Sequence, residues 1–128
     1  MKKYTDNIEK VTLENSNFRQ VLFTGEHCQL VAMSLRPGED IGMEVHLNVD
    51  QFFRFESGEG KVIINGEESA VTDGSAVVVT AGSEHNIVNT SADKDLKLYT
   101  IYSPPNHPDG TIHKTKAEAL VYEKAEHH

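Results

Sequence analysis

Short apolar runs separated by turns rich in glycine and aspartate fill most of this 128-residue chain, and they restrict it to a β-rich fold. Runs of this length and composition are typical of strands. About eight to ten short strands at close spacing favour a closed sandwich or barrel, because closure leaves few exposed edges. The predicted strands are Phe18–Thr24, Gln29–Leu35, Phe52–Glu56, Lys61–Ile64, Glu67–Val71, Ala76–Thr80, Glu84–Asn89 and Leu96–Tyr102.

Helix is predicted only near the end of the chain. Thr115 and Glu118 have the spacing of a capping box, and residues 117–125 are good helix formers. We therefore expect an N-terminal arm over residues 1–17, a β-barrel over 18–103, and a Pro-rich segment followed by a helix over 104–128. The terminal pair His127-His128 is either native or the remnant of a purification tag, so it is left out of the site.

Charge and cysteine content exclude several classes of function. The net charge is −8 and the basic residues are scattered, which argues against nucleic acid or an anionic membrane surface as the main partner. The chain contains no apolar stretch near the roughly 20 residues that a membrane helix needs, and its start does not resemble a secretory signal. The single cysteine, Cys28, cannot form an internal disulfide, so we expect a cytoplasmic protein.

Four potential metal ligands stand at spacings that would bring them together. Glu44 and His46 are two residues apart, so on a strand their side chains share a face. Gln51 follows beyond a turn, and His85 arrives from a third segment behind a glycine-containing turn. Two imidazoles and two oxygen donors are the composition of a non-haem metal site.

These residues lie in two patterns that resemble the two motifs of the cupin superfamily. The first pattern comprises Gly38, Glu44, His46, Gln51 and Gly58, and the second comprises Gly74, Thr80, Gly82, His85 and Asn89. The resemblance implies a double-stranded β-helix, that is, a jelly-roll barrel. Three positions depart from the family pattern, with Glu44 at a usual histidine, Gln51 at a frequent glutamate and Thr80 at a proline.

The resemblance implies a divalent metal held by Glu44, His46, Gln51 and His85. Both ligand departures keep a donor atom, and this donor set suits Mn, Fe(II), Ni or Zn. Five or six coordination positions would leave room for substrate. Gln51 also resembles the third ligand of small cupins that open unsaturated sugar acids, although those proteins keep both histidines of the first motif.

Strand alternation identifies further residues of the pocket. Phe53 and Phe55 should face inward with Gln51, and Ile87 should share the face of His85, whereas Phe52 and Arg54 should point outward. The expected pocket residues are Phe53, Phe55, Ile87, Tyr102 and His107. Each has an alternative, because the phenylalanines can be plain core and both His107 and His113 can be surface or turn residues.

Three functions remain open at this point. The first is a metal-dependent enzyme that acts on a small oxygen-rich carbonyl or sugar-acid-like substrate by proton transfer or hydration, with Glu44 as the catalytic base. The second is an Fe(II)-dependent dioxygenase, and the third is a non-catalytic module that binds a small molecule. Whether the protein is an enzyme at all is therefore left open. By resemblance we also expect a homodimer, with Phe52 and Val45 offering outward apolar surface.

Overall fold

The protein folds as two packed β-sheets with a helix near each end. The computed structural model describes residues 2–126, and it describes side chains as far as residue 123. The strands in that range are β1 (Arg19–Thr24), β2 (Gln29–Leu35), β3 (Glu44–Val45), β4 (Asp50–Ser57), β5 (Glu59–Ile64), β6 (Glu67–Thr72), β7 (Ala76–Val79), β8 (Glu84–Asn89), β9 (Leu96–Ser103) and β10 (Ile112–His113). The helices are α1 (Ile8–Glu14) and α2 (Lys116–Glu126). His127 and His128 lie outside the described residues.

The strands pair antiparallel in two sheets. The six-stranded sheet has the order β10-β1-β2-β9-β4-β7, and the four-stranded sheet has the order β3-β8-β5-β6. Neighbours in each sheet are often distant in sequence, as in the β4–β9 pair, so the chain crosses repeatedly between the two layers. The expected all-β jelly roll with a short C-terminal helix is confirmed.

The core lies between the two sheets and is built by strand alternation. Phe53 and Phe55 of β4 are 1% and 0% exposed, while their neighbours Phe52 and Arg54 remain partly exposed. Ile87 of β8 is fully buried from the opposite sheet. Burial of apolar surface such as theirs is the main favourable contribution to the free energy of folding. The predicted inward and outward faces of β4 are therefore correct.

The predicted hairpin between β5 and β6 is also present. Asn65 and Gly66 at its turn have φ values of 48° and 85°, as this type of two-residue turn requires. Ile64 pairs with Glu67 directly across the turn. The local sequence alone therefore sets the register of these two strands.

Helix α1 corrects the expectation that helix is confined to the C-terminus. Asn7 caps it, because its side chain accepts a hydrogen bond of 3.0 Å from the backbone N–H of Lys10. Thr12 is the only buried residue of the helix. The seven-residue helix contains Ile, Val and Thr, whose helix propensity is modest, so packing rather than local preference decides its structure. Between residues 2 and 126, neither helix has the length and apolar character needed to cross a membrane.

Candidate metal centre

Three of the four expected ligands meet at one point of the barrel. Glu44 of β3 lies directly opposite His85 of β8 in the four-stranded sheet. His46 follows β3 at its end, where the chain turns toward β4. One ligand atom from each of the three side chains lies within 4.8 Å of the others. Segments about 40 residues apart along the chain thus form a three-donor cluster.

His85 presents a single ring nitrogen to the cluster. It is 3% exposed, and its Nδ1 lies 3.2 Å from the backbone carbonyl of Ser83. A protonated Nδ1 donates to that carbonyl, so Nε2 keeps its lone pair for a metal. Such a backbone partner is the usual way in which a protein fixes the tautomer of a histidine ligand.

Glu44 and His46 form a hydrogen-bonded pair at the edge of the cluster. His46 Nε2 lies 3.0 Å from Glu44 Oε2, and both side chains remain partly accessible. Burial raises the pKa of Glu44, but the hydrogen bond from His46 and the nearby positive charges outweigh this effect and leave the pKa below its usual value. Glu44 is therefore ionised at neutral pH, which is the form that binds a cation.

Gln51 reaches the interior from the other sheet. It lies opposite Tyr102 of β9 and is 3% exposed. Its Nε2 donates a hydrogen bond of 3.0 Å to Thr100 Oγ1, whereas its Oε1 is buried and has no hydrogen-bond partner among the described residues. An unpaired buried acceptor costs about 1–3 kcal/mol. A cation beside this oxygen would remove that cost, so Gln51 fits the ligand set.

Aromatic rings surround the cluster. The ring centroid of Phe53 is 6.1 Å from that of His85, and Tyr102 packs edge-on against His46 at 6.0 Å. Phe55 and Ile87 belong to the hydrophobic core and do not line the cleft described below. Their contact with a ligand remains a prediction. Apolar walls lower the local dielectric, which strengthens the attraction between a cation and a bound oxygen.

His107 and Tyr102 form a second polar pair near the cluster. His107 Nε2 lies 3.3 Å from the hydroxyl of Tyr102. Burial, and then repulsion from Arg19, lowers the pKa of His107 to about 3, so its ring is neutral at physiological pH. Burial raises the pKa of Tyr102, which remains a hydrogen-bond donor. His107 is thus partly buried against Tyr102 and lines the cleft rather than lying on an open surface.

An open cleft of about 480 Å³ leads to these groups. Its lining combines three contributions, namely residues 44–46, residues 106–108, and Tyr122 with Glu123 of α2. This volume is suitable for a small molecule. The centre is therefore not closed off in the manner of a purely structural metal site.

Gln29 hydrogen-bonds the 106–107 backbone that lines the cleft, and no local sequence pattern indicated this role. Its fully buried amide donates to the carbonyl of His107 and to Thr24 Oγ1. Its Oε1 accepts from the backbone N–H groups of Asn106 and His107. One side chain therefore satisfies the backbone of a Pro-rich segment that has few internal hydrogen bonds. Gln29 is 78 residues from His107 in sequence, so only the tertiary fold reveals its role.

Arg19 and His113 were also not expected at the site. Arg19 of β1 is 1% exposed, and His113 of β10 lies opposite it in the sheet and is 7% exposed. Arg19 Nη1 is 3.3 Å from His113 Nδ1. The interpretation of His113 as a surface or turn residue is wrong. Arg19 and Val21 are two residues apart on β1 and therefore share its buried face. This spacing is the one local signal that could have indicated a buried arginine.

Comparison with known proteins supports the family resemblance. A family model described as the cupin domain matches residues 31–102. The chain is 49% identical over 128 residues to the uncharacterized protein YrkC of Bacillus subtilis (strain 168), covering 95% of this chain and 68% of YrkC. It is 43% identical over 113 residues to the uncharacterized protein L612 of Acanthamoeba polyphaga mimivirus, covering 85% of this chain and 70% of L612.

A solved structure shows the same architecture. The crystal structure of BH2720 from Bacillus halodurans superposes with a TM-score of 0.91 at 44% sequence identity, covering 94% of this chain and 95% of that one. Sheet order, motif spacing and these matches agree. The chain belongs to the cupin family.

Proposed function

We propose that this protein binds a divalent metal ion through Glu44, His46, Gln51 and His85 and acts on a small oxygen-rich substrate in the adjoining cleft. The observation that carries the proposal is the convergence of three ligand atoms within 4.8 Å of one another at the side of an open cleft. The unpaired oxygen of Gln51 supports a fourth ligand. Two imidazoles, one carboxylate and one amide oxygen suit Mn, Fe(II), Ni or Zn.

The substrate class that we propose is a carbonyl compound or sugar-acid-like molecule. When bound, the metal ion would supply Lewis-acid polarisation of a substrate oxygen. Glu44, which is ionised at neutral pH, can accept a proton from carbon or water once the substrate displaces it from the metal. Tyr102 can donate a hydrogen bond to a developing negative charge, and neutral His107 can orient the Tyr102 hydroxyl. We therefore propose proton transfer or hydration as the reaction.

The proposal also includes a cytoplasmic location. Cys28 is exposed and free, and a reducing compartment would keep that thiol from oxidation.

Metal analysis of the untagged protein tests the ligand assignment. Purified protein would be stripped with a chelator, titrated with Mn²⁺, Fe²⁺, Ni²⁺ and Zn²⁺, and analysed by mass spectrometry. We expect one ion per chain and a loss of metal affinity for His85→Ala well above the roughly 10–100-fold that is typical of residues outside the ligand set. His27→Ala is the matched control, because His27 is a histidine with an 89% exposed side chain. Full occupancy in His85→Ala would overturn the assignment.

Reaction class can then be separated with the same loaded protein. Proton transfer predicts deuterium exchange at the carbon next to the carbonyl of a 2-oxo acid in D₂O, followed by NMR, and His85→Ala should abolish it. Oxygen uptake with iron but not zinc would instead favour a dioxygenase. Saturable binding of the 2-oxo acid or an unsaturated uronate without any turnover would favour a non-catalytic binding module.

A further inference from the structure

Arg19 is a buried cation whose hydrogen bonds are incomplete. Its side chain is 1% exposed, and its Nε is buried with no hydrogen-bond partner among the described residues. Nη1 lies 3.3 Å from His113 Nδ1, a neutral ring whose pKa is lowered by burial and by Arg19 itself. A guanidinium group cannot lose its proton to escape this environment. Burying such a charge is unfavourable unless an anion accompanies it.

The anion nearest to Arg19 is poorly placed to serve as its permanent partner. Glu123 Oε1 of α2 lies 3.7 Å from Arg19 Nη1, which is beyond hydrogen-bond distance. The Glu123 side chain is 37% exposed and borders the cleft. Within residues 2–123, no other carboxylate forms an ion pair with Arg19. Glu123 therefore occupies the cleft side of the guanidinium without forming a close ion pair.

Arg19 also lies close enough to influence the groups of the candidate metal centre. Its charge contributes to the lowered pKa of Glu44 and the lowered pKa of His107, in each case after burial. It also opposes the burial that raises the pKa of Tyr102. Glu44 and His107 line the cleft, and Tyr102 contacts His107 and His46. Glu123 lines this cleft and lies 3.7 Å from Arg19 Nη1, so the guanidinium lies directly behind a residue of the cleft wall.

The charge balance of this interior favours an anionic ligand. A divalent ion and Arg19 are both positive, and Glu44 is the one carboxylate in the proposed ligand set. Histidines that bind a metal are neutral, and the Glu123 side chain is 37% exposed where it lines the cleft. A ligand with its own negative group would supply the missing charge. A planar carboxylate matches the paired N–H donors of a guanidinium.

We propose that Arg19 binds a carboxylate of the small molecule in the cleft and that Glu123 is displaced when this ligand enters. The inference rests on the proposed function, because that function places the ligand in the cleft. It narrows the substrate class to organic acids with one carboxylate in addition to the oxygen atoms that bind the metal. Arg19 is thereby a specificity-determining residue. His113 positions it through the contact at Nη1.

Binding of a carboxylate and its matched amide tests this assignment. The probes are succinate and its neutral diamide succinamide, which share a carbon skeleton and differ in whether the terminal groups are carboxylates, titrated by calorimetry into metal-free and Zn²⁺-loaded protein. We expect wild-type protein to prefer succinate and Arg19→Gln to lose roughly 10- to 100-fold in succinate affinity, as for one charge-assisted bidentate pair. Succinamide affinity should change little, because succinamide has no carboxylate for Arg19 to bind. Arg36→Gln, at an exposed arginine, is the control and should behave as wild type.

A second variant keeps the test decisive if Arg19→Gln does not fold. Glu123→Gln removes the competing carboxylate and leaves Arg19 in place, so succinate should bind roughly 3- to 10-fold more tightly. Glu68→Gln is the control, since Glu68 pairs with Lys61 on the surface. A purely structural Arg19–Glu123 contact predicts unchanged or weaker succinate binding in Glu123→Gln, and that result would overturn the inference.

The design separates this inference from the metal assignment. If Zn²⁺ binds but the preference for succinate over succinamide is the same in wild type and Arg19→Gln, the role of Arg19 is refuted and the proposed metal site stands. If no metal binds, the proposed function fails, and the same titrations of metal-free protein still report on Arg19. A loss of the succinate preference only in the arginine variant supports the inference in either case.

Discussion

Gln51 has a buried side-chain oxygen that, among the described residues, lacks a partner in the metal-free protein and would gain one if a metal ion were bound. Its amide nitrogen is satisfied by Thr100, but its oxygen is buried without a partner. A side chain kept only for packing would not need that oxygen. Replacements that change the oxygen and keep the shape should therefore change metal affinity separately from the stability of the metal-free protein.

We predict that Gln51→Leu weakens metal binding roughly 10-fold, about 1.4 kcal/mol, yet changes the stability of metal-free protein by less than about 1 kcal/mol. Gln51→Glu should bind the metal more tightly, because a second carboxylate attracts the cation. The same variant should be less stable without metal, because the new carboxylate is buried and repels Glu44. Urea denaturation with and without chelator, together with metal titration, measures both effects. Equal metal affinity in the three proteins would contradict a ligand role for Gln51.

The pKa of His107 predicts a pH dependence of stability. In the folded protein the pKa is about 3, against an ordinary value of 6.5. Between these values the unfolded chain holds a proton that the folded chain does not, so the free energy of unfolding decreases as the pH decreases. We expect about 1–2 kcal/mol to be lost between pH 7 and pH 5 through this residue, and His107→Asn should remove that part of the slope.

Urea denaturation of chelator-treated protein at several pH values checks this expectation, since metal release cannot then contribute. His113 has a pKa shifted in the same direction, so some slope will remain in His107→Asn. An identical slope in wild type and variant would show that His107 is protonated as easily in the folded protein as in the unfolded one.

At the scale of elements, the strands were largely predictable and the irregular contacts were not. The limits of β2 and β8 match the predicted runs, because alternating side chains and flanking turns are local features. The convergence of Glu44, His46 and His85 was predicted from their spacing and from the resemblance to the cupin motifs, and the fold brings these three side chains together. Helix α1 and the two-residue strand β10 were not predicted, because packing against the rest of the fold stabilises them more than their own composition does.

Long polar side chains account for the other omissions at the site. Arg19 contacts His113 from 94 residues away, and Gln29 contacts His107 from 78. No local pattern specifies such partners, because they depend on the order of strands in the six-stranded sheet. Long-range hydrogen bonds of this kind are therefore a property of the topology, and motif spacing does not reveal them.

Gly58, between β4 and β5, and Gly82, in the turn between β7 and β8, provide a matched test of backbone crowding. Gly58 and Gly82 have φ values of 109° and 86°, so alanine is strained at both positions. A Cβ at Gly58 would lie 2.6 Å from the backbone oxygen of Asp95, whereas a Cβ at Gly82 would meet nothing within 4 Å. We expect Gly82→Ala to cost about 1 kcal/mol and Gly58→Ala at least about 3 kcal/mol. Thermal and urea unfolding measure both, and equal losses would show that the Asp95 segment can move away.

At the scale of the whole molecule, two apolar surfaces could mediate association of two copies of the chain. The outward residues Val45 and Phe52 belong to different sheets, so a single interface cannot use both equally. Phe52 lies between Val78 and Ile101 in register, and Val78 is 63% exposed at the edge strand β7. These three residues form an apolar strip across the outer face of the six-stranded sheet. The strip is the better candidate for a dimer contact.

We predict a homodimer that buries this strip, and light scattering should give twice the chain mass of 14.2 kDa at micromolar concentration. Val78→Lys should shift the protein to monomer, because a charge in an apolar contact loses its hydration. Val45→Lys, on the other sheet, is the control and should remain dimeric. A wild-type mass of one chain would refute the prediction.

The candidate ligands are divided between the two layers of the sandwich, with Glu44 and His85 in one sheet and Gln51 in the other. An ion bound to all of them would act as a non-covalent cross-link between layers that otherwise adhere only through apolar surface. Occupancy should then slow backbone hydrogen exchange in both sheets at once. Cellular metal supply would in this way set the lifetime of the folded chain as well as its chemistry.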